Sequence, residues 1–200
     1  MHPNMFKPDK LLLFFSNEFP FNKEGLELFI ASFELKIFKK NELILENGIP
    51  EKQLRFLDEG IVREFYSKDG KEKNINFYME PGFIMDFYSF VSDKPSPKNQ
   101  ECITDVRLRV LSKEKFQYFL SEYECGKLFV EDIFQRVIEK RENEQFQHFM
   151  NTAEENYLHI VEQKLAWLQK IPQYHIASYL GISPETLSRI RRRMMHRPIS

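Results

Sequence analysis

The sequence predicts an α+β protein in which an antiparallel β-rich unit is followed by a long helix and a C-terminal helix-turn-helix. Three observations carry this. Residues 41–111 are short β-branched and aromatic segments divided by Asn47-Gly48, Glu59-Gly60, Asp69-Gly70 and Pro81-Gly82, turn dipeptides that punctuate strands. Residues 113–150 then return to a helical period. Finally, residues 172–193, PQYHIASYLGISPETLSRIRRR, read as two short helices joined at Gly181.

Taken in chain order, residues 1–36 look helical, because Leu26, Phe29, Ile30 and Phe33 stand at i, i+3, i+4 and i+7 and form one apolar stripe. From Lys39 the period changes. Ile61, Arg63 and Phe65 alternate with Val62, Glu64 and Tyr66, and Ile75-Asn76-Phe77-Tyr78 alternates again, which is the pattern of hairpins. The glycines at 48, 60, 70 and 82 recur at intervals of twelve, ten and twelve residues without a sequence repeat around them, a spacing that a generic small β-barrel would also show. In the long helix Val130, Ile133, Phe134, Val137 and Ile138 form an apolar stripe. The spacing of Val130, Phe134 and Val137 fits a seam against a second copy, while the same stripe could instead cover the β unit. Asn151-Thr152 is the expected hinge, dividing the chain into 1–150, with a dimerisation helix at about 127–150, and 151–200. A helix over 153–169 then presents Tyr157, Leu158, Val161, Leu165, Leu168 and Trp167 as a scaffold for the two C-terminal helices.

The first of those helices is expected to run from Pro172, tolerated at a first helical position because its missing N–H has no partner there, to Leu180. Gly181 ends it, since the tight reversal needs a residue that enters the left-handed region without a Cβ penalty. Ser183 caps the second helix, Pro184 has its φ preset for the first position, and Glu185 sits at the positive end of the dipole. Leu187, Ile190 and Met194 share one side of this helix, with Ile176, Ala177, Leu180 and Ile182 as their partners. Glu185, Ser188, Arg189 and Arg192 share the other. Arg189 can donate a bidentate pair to a guanine edge, Glu185 can accept from cytosine, and Ser188, Arg192 and Arg193 suit nearby bases or phosphates. An ordinary helical hairpin with a solvated basic face is the alternative.

The stretch Ser183-Pro184-Glu185-Thr186-Leu187-Ser188-Arg189 resembles the recognition-helix signature of the Crp/Fnr family of bacterial transcription regulators, in which Glu-Thr is followed two residues later by Ser-Arg or Gly-Arg. The resemblance implies that Glu185, Ser188 and Arg189 touch bases, that Ser183 and Thr186 contact phosphates, and that the half-site holds a TGA-like core. Pro184 stands where the family often has a further arginine. The resemblance also implies an N-terminal antiparallel β-roll of the cyclic-nucleotide-binding-like, double-stranded β-helix type, a central dimer helix, a C-terminal winged-helix-like domain, double-stranded DNA as partner, and RNA polymerase as a further one. Any β-wing would precede the motif, as in residues 169–172, or be vestigial.

The family's nucleotide cassette has a Gly-Glu pair and, about ten residues on, an arginine followed by Ser or Thr. Met85-Asp86 stands at the first place, Ser96-Pro97-Lys98-Asn99 at the second, and no arginine lies between Arg63 and Arg107. Without a guanidinium a cyclic phosphate loses its best charge-assisted partner, and Met85 removes the close-approach glycine. The effector site around Met85, Asp86 and Lys98 is therefore degenerate: Lys98 remains as a point charge and Asp86 as an acceptor for a hydroxyl. The pocket is expected to be empty, filled by Phe83, Phe87 and Phe90, or adapted to another small-molecule effector.

Composition narrows the remaining classes. With 42% hydrophobic residues and 20 Phe, 200 residues can bury a sizeable core. The run Leu11–Phe15 is too short to span a bilayer and no signal-peptide cleavage site follows it, so the expectation is a cytoplasmic protein without a membrane role. Cys102 and Cys125 form no CxxC, which indicates neither a zinc site nor a disulfide framework, and two cysteines cannot ligate the four-cysteine iron–sulfur cluster of the oxygen-sensing branch. No metal or cofactor is expected. Residues 151–200 carry seven Lys/Arg against four Asp/Glu, whereas the rest carries 22 against 26, so the basic end is the one with the motif. No GxSxG, P-loop, HExxH or dinucleotide fingerprint is present and the histidines are scattered, so no catalytic residue is expected. The expected function is sequence-specific transcription regulation by a homodimer; the alternative is a small-molecule-binding module whose helical tail docks a protein.

Overall fold

The computed structural model describes residues 9–18, 23–122 and 126–195. Two short helices, α1 (Lys10–Glu18) and α2 (Lys23–Ala31), precede eight strands: β1 (Glu34–Phe38), β2 (Leu43–Leu45), β3 (Gln53–Glu59), β4 (Val62–Lys68), β5 (Lys71–Tyr78), β6 (Gly82–Phe83), β7 (Asn99–Cys102) and β8 (Val106–Ser112). A one-and-a-half-turn helix, α3 (Phe87–Ser92), interrupts them between β6 and β7. All pairings are antiparallel, in two four-stranded sheets ordered β1-β8-β3-β6 and β2-β7-β4-β5. Leu57, Val62, Ile84, Cys102, Val106 and Leu108 pack in the layer between the sheets. This is the sandwiched roll that the turn dipeptides announced.

Gly60 shows why one of those turns needs glycine. Its φ is +106°, and a Cβ there would stand 2.6 Å from the Asp105 carbonyl oxygen, closer than any side-chain carbon tolerates. The tight turn brings the β3–β4 connection against β8, so the two sheets close at that corner.

The N-terminal third departs from the sequence expectation in one respect. The strand period starts at Glu34 and not after Lys39. Leu35 and Ile37 alternate as a strand should, but their side chains face solvent at 55% and 63% exposure, so hydrophobicity alone did not mark β1. Leu26 and Phe29 are buried as their spacing required, and with Leu11, Phe56, Phe87, Phe90 and Phe116 they form a second core beneath the helices. T-shaped ring pairs tie Phe14 to both Phe56 and Phe83 at 5.7 and 5.3 Å, a geometry that matches positive ring edges to negative faces.

Helix α4 (Lys113–Glu122) leads to the long α5 (Gly126–Met150). The side chains of Val130, Ile133, Phe134 and Val137 lie outside the described ones; Ile138 is 44% exposed. The expected hinge is a bend at Asn151, followed by a full capping box. The Thr152 hydroxyl accepts from the Glu155 N–H at 3.2 Å and the Glu155 carboxylate accepts from the Thr152 N–H at 2.8 Å.

The scaffold helix expected over 153–169 is two helices. α6 (Ala153–Gln163) and α7 (Leu165–Lys170) are broken at Lys164, whose φ of −132° and ψ of 37° are not helical. The break exposes Val161 and Leu165, which a continuous helix was expected to bury. It turns Trp167 and Ile171 inward beside Tyr157 and Ile160. The Lys164 ammonium sits 4.5 Å over the Trp167 ring. Residues 169–172 end α7 and enter the next helix, so they form no β-wing; among the described residues after Met150 there is no strand.

Candidate nucleic-acid interface

The C-terminal pair comprises α8 (Gln173–Leu180) and α9 (Pro184–Met195). Pro172 is the residue before α8 and not its first: its ψ of 138° is extended, while its carbonyl accepts from the His175 and Ile176 N–H groups. Gly181 adopts φ 70° and ψ 27°. Its N–H donates to the Ser178 carbonyl, and the Ile182 N–H donates to Ala177 at 3.0 Å, the paired bonds of a Schellman ending. Two residues later the Ser183 hydroxyl accepts from the Thr186 N–H at 3.2 Å and starts α9. The turn angle between the helices follows from these local bonds.

Helix α9 divides by face as its spacing requires. Leu187 and Ile190 are 1% and 3% exposed, packed on Ile176, Ala177 and Leu180, with Met194 half-buried. Ser183, Glu185, Ser188, Arg189, Arg192 and Arg193 are exposed and Thr186 is half-buried. Thr186, Arg189, Arg192 and Arg193 line one open, water-facing depression. Arg189 donates to the neutral Thr186 hydroxyl at 3.0 Å. The Ser183 hydroxyl and the Glu185 backbone N–H hold the Glu185 carboxyl below the ordinary carboxylate range, with Arg189 adding to the effect. Arg193 is differently placed. It pairs with Glu154 of α6 at 3.0 Å, so it anchors the far end of α9 to the scaffold as well as facing water.

The expected effector site is closed on itself. Met85 is fully buried and Asp86 is 2% exposed at the start of α3. Asp86 does accept from a hydroxyl, but from that of Ser96 at 2.7 Å, and the Lys98 ammonium lies 3.5 Å from its other oxygen. Asp86, Ser96 and Lys98 thus satisfy one another. Phe87 and Phe90 belong to the core under α1 and α2, and Phe83 packs against the same core. Polar side chains fill the neighbouring interior. Buried Arg55 pairs with Glu51 and donates to Gln100 at 3.2 Å, and Gln100 donates to Glu64 at 2.9 Å. Burial raises the Glu51 carboxyl above its ordinary range, opposed by the charge of Arg55. No residue of this cassette offers a free guanidinium or a close backbone approach, so the residues present do not fit a cyclic phosphate held in the family's manner.

Comparison with known proteins follows the architecture. The family model "Cyclic nucleotide-binding domain" matches residues 35–123, which span β1 to the end of α4. Over most of its length the chain has the fold of Crp/Fnr-type transcription regulators. It is similar to FixK2 of Bradyrhizobium japonicum with a TM-score of 0.67 at 16% identity, covering 82% of this chain and 84% of that one. The c-di-GMP-responsive global regulator CLP of Xanthomonas campestris gives 0.63 at 17% identity, covering 87% and 92%. The catabolite activator protein of Thermus thermophilus gives 0.55 at 17% identity, covering 88% and 84%. No curated protein matches the sequence.

Sequence reasoning missed how the two domains meet. Phe77 of β5 packs edge-on against Trp167 at 4.9 Å and near Tyr179 at 6.0 Å, and Ile61 and Ile103 join the same core. The Asn74 N–H donates to the Ser178 hydroxyl at 3.1 Å and its amide donates to the His175 carbonyl at 3.2 Å. Helix α8 is therefore seated on β5. The sequence trace was Phe77 itself, which shares β5 with Ile75 and Tyr78 and so did not stand out as a docking residue.

Proposed function

We propose that this chain is a sequence-specific DNA-binding transcription regulator of the Crp/Fnr type, a cytoplasmic homodimer that reads a pseudo-palindromic site and does not take cyclic AMP in the family's manner. The observation that carries the reading is α9: a capped helix whose apolar rear is buried and whose front presents Glu185, Ser188, Arg189 and Arg192 to solvent in one register. Glu185, Ser188 and Arg189 read bases, Ser183 and Thr186 hold phosphates, and Arg192 and Arg193 supply the surrounding positive field. Two copies would place their recognition helices ~34 Å apart, one DNA turn. Phe146, Phe149 and Met150, 59%, 86% and 63% exposed near the end of α5, support a helix that meets its own copy, since their i, i+3, i+4 spacing places three large apolar side chains on one exposed face. No catalytic role is proposed for any residue.

The test is selection of bound duplexes from a random pool by the intact chain. The expected product is a two-fold symmetric site whose binding weakens by orders of magnitude between low and moderate salt. Arg189→Ala should lose about 1–3 kcal/mol of discrimination at one base position. An unenriched pool, or a mutant with the same preferred sequence, refutes the proposal.

A further inference from the structure

Among the described residues after Met150 no strand accompanies the reading pair, yet one β hairpin of the roll stands against it. Strand β5 is the outer strand of its sheet, ordered β2-β7-β4-β5. Its open edge meets a side chain of α8: the Ser178 hydroxyl accepts from the Asn74 N–H at 3.1 Å and donates to the Glu72 carbonyl at 3.3 Å. One residue thus pins the β4–β5 hairpin to α8. Beyond these bonds, Asp69 and Gly70 turn the chain with φ of 51° and 73°, the signs of a tight two-residue hairpin turn. Lys68 and Lys71 face each other across it. Lys73 follows, and a Cβ at Gly181 would stand 3.7 Å from its ammonium. Ser183, which caps α9, is two residues further on, within ~7 Å of Gly181.

Lys68, Lys71 and Lys73 are exposed and form no ion pair among the described residues. Like charges directly opposite each other weaken a strand pair, so Lys68 and Lys71 cost the hairpin stability that no described acid restores by pairing with them. Two acids share the stretch. Glu72 is drawn to buried Arg63 at 2.7 Å, which also holds Glu101, and Asp69 stands exposed at the tip. The three ammonium groups form an open row, spread along the hairpin at ~3.4 Å per residue, and each is a point charge suited to phosphate. A row of that kind fits a backbone of repeated phosphates. We propose that the β4–β5 hairpin is a second DNA contact of this chain, laying Lys68, Lys71 and Lys73 along the phosphates that border the half-site while α9 reads its bases. The β hairpin beside the reading pair is thus lent by the roll. Its contact carries no sequence information and adds affinity and salt dependence. The inference rests on the regulator reading and extends it to a surface outside the reading domain.

The test measures affinity against salt for the full chain on the duplex it selects from a random pool. Lys73→Gln can also loosen α8, because its ammonium lies at the C-terminal end of that helix, so the double variant Lys68→Gln/Lys71→Gln decides. Trp167 fluorescence checks that the reading domain stays seated in it. The double variant should bind about tenfold or more weakly at low salt, with the same preferred sequence, and its slope of log affinity on log salt should shrink by about 1 for each lysine in each copy. Lys40→Gln, at an exposed position before β2 on the opposite edge of the same sheet, should change neither quantity. An unchanged slope in the double variant overturns the inference, as does an equal loss in Lys40→Gln or a shift in the preferred sequence. A chain that selects a duplex and keeps its full slope in the double variant loses this contact and keeps the regulator reading; a chain that selects none loses both.

Discussion

Replacing Phe77 by Ala tests whether the roll and the reading domain are one cooperative body. Phe77 is 4% exposed in β5, yet its neighbours are Trp167, Tyr179 and His175 of the C-terminal domain. Truncating a buried Phe costs about 3–5 kcal/mol through lost transfer energy and the cavity left behind. A domain the size of residues 151–195 has a stability of its own of only about 2–7 kcal/mol. The mutation therefore removes most of what holds that domain in place. Trp167 is the chain's single tryptophan, and it touches the deleted ring, so its fluorescence reports the C-terminal domain alone. In urea, with a slope of about 1–3 kcal/mol/M, its midpoint should fall by about 2 M, while the far-UV signal, dominated by the remaining elements, splits into two transitions. Leu54→Ala, in the separate core beneath α1 and α2, should shift the later transition and leave the Trp167 midpoint nearer to wild type. If Phe77→Ala moves the Trp167 midpoint by less than about 0.5 M, the docking carries no energy and the shared core is only a contact.

Three further outcomes are expected. Gly60→Ala should destabilise the roll by about 2 kcal/mol or more in thermal melts, because φ +106° and a 2.6 Å approach to the Asp105 oxygen leave a methyl group no room. Burial, and then the charge of Arg63, pull the His175 imidazole down to about 4, opposed by Glu72. The unfolded chain therefore binds the extra proton first, so stability of the α8 seat is present above the ordinary value of 6.5 and lost as pH falls toward 4. Screening at this half-exposed ring limits the effect to about 1 kcal/mol, and His175→Gln should flatten it in pH-dependent unfolding curves. The Cys102 thiol is buried and pushed up to about 12, chiefly by desolvation and then by Glu42 and Glu101. It should resist alkylation at neutral pH until the roll unfolds, as peptide mapping of labelled protein would show.

The helix-turn-helix was legible because everything that builds it is local. Gly181, Ser183 and the i, i+3 pair Leu187 and Ile190 lie within ten residues, and their bonds reach no further than the turn itself. The β-roll was legible from its turns. Edge strand β1 was less so, since its large residues Leu35 and Ile37 face water and extended the apparent helical pattern. The break at Lys164 had no proline or glycine to mark it. It arises from tertiary demand, the burial of Trp167 and Ile171 against a strand nearly a hundred residues earlier, which overrides a continuous helical propensity. Arg141 was hidden for the same reason. In the run Lys140-Arg141-Glu142-Asn143-Glu144 it reads as part of a solvated face, and only the position of Tyr78 and Phe87 beneath it separates it from its neighbours.

These two blind spots lie on one line through the molecule. Strand β5 carries Tyr78 at its C-terminal end, against Arg141, with Phe77 beside it and Asn74 three residues before Phe77, both against the C-terminal helices. A strand is stiff along its length, because its ladder to β4 is continuous apart from one register shift between Glu64 and Phe65. Strand β5, and not the cassette, is where the roll meets the helix that precedes α9. Asn74→Ala isolates one part of that joint: it removes the side-chain amide's bonds to His175 while leaving the backbone N–H bond to Ser178, Phe77 and the apolar core in place.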